Sequence, residues 1–311
     1  MLRFFRSGFI LLRGKVGFTL ETREKKRGDR FDGYWLRDEV PAMNSFMAYL
    51  FPNRADNEAF IEQSIDLRPM DAFLAKKNAG LEKDKYSYFH VILAACVKCF
   101  VLRPRMNRFI SGNRIYQRDH ISVAFVVKKR FEDSSSEGLA YKRYTGDDTI
   151  DTLHASILEE IYQCRRTDVE DNSNAFMQKL MRLPSWLLRL VVKILFKLDR
   201  KGKVPYDLIR TDPNYASIFL TNLGSIGLDA GYHHLNNWGT NSLFVTIGEK
   251  HLMPYHDAEG KVEMRETLKL GITLDERIAD GYYYSKSIRL LKHLLQNPEL
   301  LELPANQEVE Y

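Results

Sequence analysis

Cysteine is scarce, with three in 311 residues, which excludes a disulfide scaffold and suits a reducing compartment. Long apolar runs are missing too: no stretch reaches the ~18–20 residues that a spanning helix needs. The chain also lacks the phosphate loop G-x-x-x-x-G-K-[ST], a G-x-G-x-x-G after a strand, the elbow G-x-S-x-G and the zinc motif H-E-x-x-H. These absences withdraw support from nucleotide-dependent kinases, dinucleotide enzymes, serine esterases and the common zinc hydrolases. What remains is ordinary globular material, 44% hydrophobic and 28% charged, long enough for one large or two ordinary domains.

The net charge of +5 is unevenly spread. Residues 1–30 hold nine Lys/Arg against three Asp/Glu, and residues 182–203 hold seven against one, so each segment carries +6 and the remainder about −7. A nucleic-acid binder carries its basic stripe on the folded body, so no nucleic-acid partner is expected. The first 15 residues contain Arg3, Arg6, Arg13 and Lys15 and no acid. Their apolar patch at 9–12 is too short for a signal-peptide core. The readings open for this segment are a loosely attached leader, a membrane-surface anchor and a transit-like segment. Residues 21–39 are charge-dense and read as linker, which gives a basic leader and linker over 1–40 and ordered structure from about 41.

Hydropathy periodicity and punctuation predict helices at 43–50, 69–79, 89–102, 149–163, 175–182, 185–199 and 282–296. Strands are predicted at 59–67, 113–116, 121–128, 139–144, 216–222, 243–250 and 262–273. Residues 113–116 and 121–128 are read as a hairpin, and so are the last two strands, joined by Asp257-Ala258-Glu259-Gly260. The helix 89–102 reads as buried, which makes Cys96 and Cys99 core residues; no second pair exists to build a zinc site, and no metal is expected. Helix 185–199 is apolar nearly all round except for Arg189, Lys193 and Lys197, a shape suited either to an interface with lipid or to docking on protein. The interleaving of strands and helices indicates an α/β (α+β two-layer) domain, a mixed β-sheet flanked by helices.

Among single residues, His90 stands at the start of the buried helix, as a satisfied core residue or a functional one. His233 and His234 sit in the loop GYHHLNNWG with no carboxylate nearby in sequence, which favours a surface or structural role. Two polar segments lie at strand ends, where mixed sheets build sites: Thr221-Asn222-Leu223-Gly224-Ser225-Ile226-Gly227, and Thr273 through Gly281 (TLDERIADG).

These segments carry a resemblance. LKLGITLDERIADGYYYSKSIRLLKHLLQNPELL is similar to the terminal strand, His-x-x-x-Asp-Gly signature, following helix and closing Asn-Pro-Glu-Leu-Leu of the chloramphenicol acetyltransferase and dihydrolipoamide acyltransferase catalytic-core superfamily. IFLTNLGSIG resembles its Ser-Asn-Leu-Gly segment, and FHVILAACVKCFVLRPRMNRFISGNRIYQRDHISVAFVV its buried helix and hairpin. The resemblance covers 41–311, with a helical insertion at about 174–203, and implies the CoA-dependent acyltransferase fold. It implies CoA or acyl-CoA as co-substrate, a small-molecule donor and acceptor, and a homotrimer with sites between subunits. By position, Thr221 takes the oxyanion hydroxyl, Asp280 and Gly281 the signature aspartate and glycine, and Arg54 the arginine that pairs with that aspartate. Asn222 is placed at the site, with His90 and Ser225 as substrate-channel candidates.

The signature histidine falls on Glu276. An ordinary Glu titrates near ~4.3 against ~6.5 for His, so as general base toward a thiol it is weaker by roughly 3 kcal/mol of proton affinity. Burial would raise it, and an inward Arg277 would oppose that rise. Two readings follow. One is CoA-dependent acyl transfer to an unidentified acceptor with Glu276 as base; the other is a catalytically degenerate CoA-binding or scaffold protein. With a leader too short for a lipoyl or peripheral-subunit-binding domain, a stand-alone trimer is the expected analogy. A cytoplasmic protein is expected, with 1–16 and 182–203 as candidate contacts to an anionic membrane surface.

Overall fold

The computed structural model describes residues 23–37, 39–128, 137–166 and 180–311. The strands are β1 (Gly33–Trp35), β2 (Glu58–Asp66), β3 (Arg108–Ser111), β4 (Arg114–Arg118), β5 (Ile121–Lys128), β6 (Glu137–Tyr144), β7 (Ile218–Asn222), β8 (Leu243–His256) and β9 (Val262–Asp275). The helices are α1 (Ala42–Leu50), α2 (Arg68–Lys77), α3 (Tyr88–Leu102), α4 (Ile150–Arg166), α5 (Ser185–Arg200), α6 (Tyr206–Ile209) and α7 (Gly281–Gln296). A six-stranded sheet runs β2-β9-β8-β7-β5-β6, and a small sheet runs β1-β4-β3. The β5–β7 and β7–β8 pairs are parallel and the others antiparallel. The mixed sheet flanked by helices is therefore present.

One face of the large sheet is apolar. Ile218, Leu220, Leu243, Val245, Leu270, Ile272 and Leu274 alternate with outward polar or aromatic positions and pack with α3, α4 and α7 into one core. Helix α3 is buried from His90 through Val101, as its continuous apolar run predicts. Burial pushes the Cys96 thiol up to about 12, as befits a core residue. The stripe Tyr284, Leu291 and Leu295 of α7 is buried against the same core.

Three expectations change. The strand 113–116 does not pair with 121–128: β4 pairs with β3 and β1, and β5 with β6 and β7. The hairpin lies one strand earlier because Gly112 and Asn113 both adopt positive φ, +54° and +62°, which a tight two-residue turn requires. Residues 33–35, inside the stretch read as linker, form β1, next to a buried Arg30–Asp32 ion pair at 2.9 Å. The β8–β9 hairpin runs beyond its predicted ends, and its outer half leaves Leu252, Tyr255 and Met264 exposed. Most of the helix expected at 175–182 and residues 1–22 of the expected leader fall outside the described residues.

Helix α5 is held at one end. Its Asp199, 3% exposed, accepts a hydrogen bond from the Tyr215 hydroxyl (2.6 Å) and another from Gly239 N (3.2 Å). Its carbonyl accepts from Arg30 Nη1 at 2.6 Å. Toward the other end Met181, Trp186, Leu190 and Ile194 are exposed.

Candidate functional site

The second polar segment closes β9. Asp275 is fully buried and takes both Arg277 Nε (2.8 Å) and Nη2 (2.6 Å), a fork-on-carboxylate pair. Arg277 Nη1 donates to Phe51 O at 2.7 Å, so Arg277 points inward and its charge is met there. Arg54 meets the same carboxylate, its Nε 3.7 Å from the Oδ2 that also takes Arg277 Nη2. Its remaining donors reach the carbonyls of Asn236, Ile110 (3.1 Å) and Gly239 (3.0 Å). Burial lowers the Arg54 guanidinium to about 10, against the pull of Asp275, so it stays charged at neutral pH.

The arginine thus serves Asp275 and not Asp280, contrary to the residue-by-residue expectation. The physical reason is the turn Glu276–Ile278, which carries the chain outward after the strand. Asp280 emerges exposed as the cap of α7, accepting from Tyr283 N at 2.9 Å and lying 3.7 Å from Arg105. Gly281 has open space where a side chain would stand. Glu276 itself is exposed and has no hydrogen bond or ion pair among the described residues.

Thr221 is half-buried near the end of β7. Asn222 caps the following turn by accepting from Ser225 N (3.2 Å), while the exposed Ser225 donates its hydroxyl back to Asn222 O (2.7 Å). Gly224 is required here, because a side chain would collide with the backbone of Gly248 on β8. Register separates Thr221 from the first turn. Thr221 pairs with Thr246, which pairs with Gly271, four residues before Asp275. At about 3.3 Å per residue and ~4.8 Å per strand spacing, Thr221 and Asp275 lie roughly 16 Å apart. One chain does not bring Thr221 and Glu276 together.

His90 lies elsewhere. Its Nδ1 accepts from Ser87 N at 3.1 Å, closing a capping box at the start of α3. Arg103, just past the other end of that helix, touches Tyr283 and Ser287 of α7. Thirteen residues of helix, about 20 Å, thus separate His90 from the α7 end where Asp280 sits. Its ring contacts His154, and burial lowers it to about 4.

A feature absent from the sequence reading covers the second face of the sheet. The segment 229–239 runs across it: Gly231 O accepts from Thr246 Oγ1 (2.7 Å), Tyr232 packs on Phe60, and His233 stacks on Phe244 with ring centres 4.3 Å apart. A Cβ on Gly271 would strike Thr246 and Gly231, so only glycine lets the loop lie this close. His234 Nδ1 then meets Glu58 Oε2 at 2.8 Å, and Leu235 N donates to Glu58 Oε1 at 2.5 Å. Glu58 pairs with Asp275 across β2–β9. The histidine pair therefore does have a carboxylate partner, 176 residues away in sequence.

Two concavities flank this loop and share Phe196 and Asn237. One, of about 210 Å³, is lined by Arg54, Ser111, Phe196, Asp199, Asn237 and Arg277. The other is an open groove of about 610 Å³ lined by Phe196 and by 232–237; ligand sites commonly fall in this range.

The solved structures decide the fold. The cubic core of the pyruvate dehydrogenase multienzyme complex superposes with a TM-score of 0.54 at 17% identity, over 86% of this chain and 94% of that one. This chain has the fold of an acyltransferase catalytic core. The Azotobacter vinelandii dihydrolipoamide acetyltransferase gives 0.56 at 17% identity with the same coverages. A truncated catalytic core from Thermoplasma acidophilum gives 0.51 at 12%, over 83% and 97%. Residues 192–303 match the family of the 2-oxoacid dehydrogenases acyltransferase (catalytic domain), so the match spans both α7 and the 275–281 turn. No curated protein matches the chain.

Proposed function

We propose that the chain binds CoA or an acyl-CoA and transfers the acyl group to a small acceptor, working as a homotrimer. The observation that carries this reading is the acyltransferase-core fold together with the family match across the 275–281 turn. The separation of Thr221 from that turn supports the trimer, because two copies are needed to bring an oxyanion hydroxyl to a base at the other end of the sheet. Asp275, Arg54 and Arg277 brace the turn, and the smaller concavity opens beside it, lined by both arginines.

Glu276 at the signature position favours the second reading, a catalytically degenerate CoA-binding protein. It is exposed and has no side-chain partner among the described residues, so nothing orients it as a third group orients a general base. Calorimetry with CoA, and CoA release from acetyl-CoA and longer acyl-CoAs over a panel of acceptors, separate the two. Binding with release supports transfer, binding without release supports the degenerate form, and no binding removes both. Under the transfer reading Glu276→His retains or raises the rate.

Contact with an anionic membrane surface is a further part of this proposal. On α5 the exposed ridge Trp186, Leu190 and Ile194 runs beside the cationic ridge Arg189, Lys193 and Lys197, the arrangement of a helix lying in a lipid interface.

A further inference from the structure

We propose that His234, oriented by Glu58, is the proton acceptor of the site, a role for which the sequence offered only Glu276. The inference rests on the acyl-transfer reading and names the group that would perform its proton transfer.

Four observations carry it. The Glu58 side chain is 3% exposed while the His234 side chain is 83% exposed, and the two meet at 2.8 Å. An ionised carboxylate only accepts hydrogen bonds, so Nδ1 carries the proton and Nε2 presents its lone pair outward. The carboxylate cannot swing away, since its other oxygen accepts from Leu235 N. Finally, Glu58 faces Asp275 across the β2–β9 ladder, so the dyad stands one strand from the turn that carries Glu276 and on the wall of the larger groove. A base held by a third group, with its free nitrogen facing a cleft, is the arrangement general-base catalysis requires.

Four of the other histidines are placed differently. His90, His120 and His154 are buried or nearly so. His251 lies 3.6 Å from Asp229 and 3.8 Å from Glu249, but it pairs with Thr267, eight residues from Asp275 along β9 and so roughly 26 Å away. Around His234 itself the titratable neighbours are Glu58 from β2 and Tyr232 and His233 on its own loop. Phe196 of α5 lies across the groove, and Arg54 with Asp275 lies behind.

An acceptor X–H in the groove loses its proton to Nε2 as X attacks the thioester carbonyl. The tetrahedral oxyanion then collapses, the C–S bond breaks, and the CoA thiolate takes the proton back from His234 Nε2 to leave as the thiol. No oxidant or metal enters the balance.

The test uses the full chain with acetyl-CoA as donor and reduced lipoamide, a primary amine and a primary alcohol as acceptors, following CoA release and CoA binding together. His234→Gln, at an exposed position that leaves folding intact, is expected to lower kcat/KM at least 100-fold while CoA affinity stays within threefold. Glu58→Gln is expected to lower kcat while leaving KM for acetyl-CoA within threefold, because the imidazole loses the carboxylate that fixes its tautomer and orientation. A His234→Gln protein within threefold of the unmodified rate overturns the inference and leaves acyl transfer standing. An unmodified protein that binds CoA yet releases none with any acceptor overturns His234 as a base while CoA binding stands. One that does not bind CoA overturns the acyl-transfer reading, and this inference with it.

Discussion

Acid should destabilise this protein in part through His90, and the effect can be sized. The ring is buried at 6% exposure and is lowered from 6.5 to about 4, by burial first and by His154 second. Because the folded value lies below the unfolded one, the folded state binds fewer protons between these values. Stability from this group is therefore complete above pH 6.5, falls as the pH drops, and is fully lost below about 4. The whole span corresponds to roughly 3 kcal/mol, of which about 2 kcal/mol is gone at pH 5. His90→Gln tests this cleanly, since an amide oxygen still accepts from Ser87 N in the capping box but takes up no proton. Urea unfolding at pH 7 and pH 5 should show the variant losing about 2 kcal/mol less than the parent between the two. An equal loss in both proteins refutes the reasoning, and it would fit a ring open to solvent, as a channel residue would be.

Three further outcomes are expected. Asp275→Asn leaves Arg54 and Arg277 buried without their counter-charge, at a cost of about 3–5 kcal/mol in chemical denaturation. Glu276→Gln, one residue on and exposed, stays within about 0.5 kcal/mol; equal effects would contradict the geometry. Reversing Arg189, Lys193 and Lys197 to Glu should weaken sedimentation with vesicles of 30% phosphatidylserine by at least ~100-fold, at roughly 1 kcal/mol per residue. An intact protein that ignores such vesicles would dismiss the lipid surface.

How much of this was legible in the sequence depends on distance along the chain. Helix α3 announced itself through an unbroken apolar run, and the β8–β9 hairpin through its Asp-Ala-Glu-Gly turn. The TLDERIADG segment could be read because its residues are contiguous. Within it, however, the partner of Arg54 was set by where the turn Glu276–Ile278 takes the chain, which leaves Asp275 inside and Asp280 outside. The Glu58–His234 pair was invisible because its members meet only once β2 is in register against β9 and the 229–239 loop is laid over it. β1 escaped notice because three residues flanked by charges give no periodicity, and it forms by pairing with β4, more than eighty residues on.

Arg30 has a consequence for the order in which the molecule forms. One guanidinium joins Asp32, Ser111 and the carbonyl of Asp199, so it ties together pieces of chain separated by 169 residues. Closing so long a span costs chain entropy before any contact repays it. The core closes over spans at least as long, since β2 pairs with β9 and α3 packs on α7. The polar floor beneath the smaller concavity is therefore no later in the sequence of events than the core itself. In refolding, burial of α3 and the clamping of α5 should appear in one cooperative step, and ligand binding should return with it.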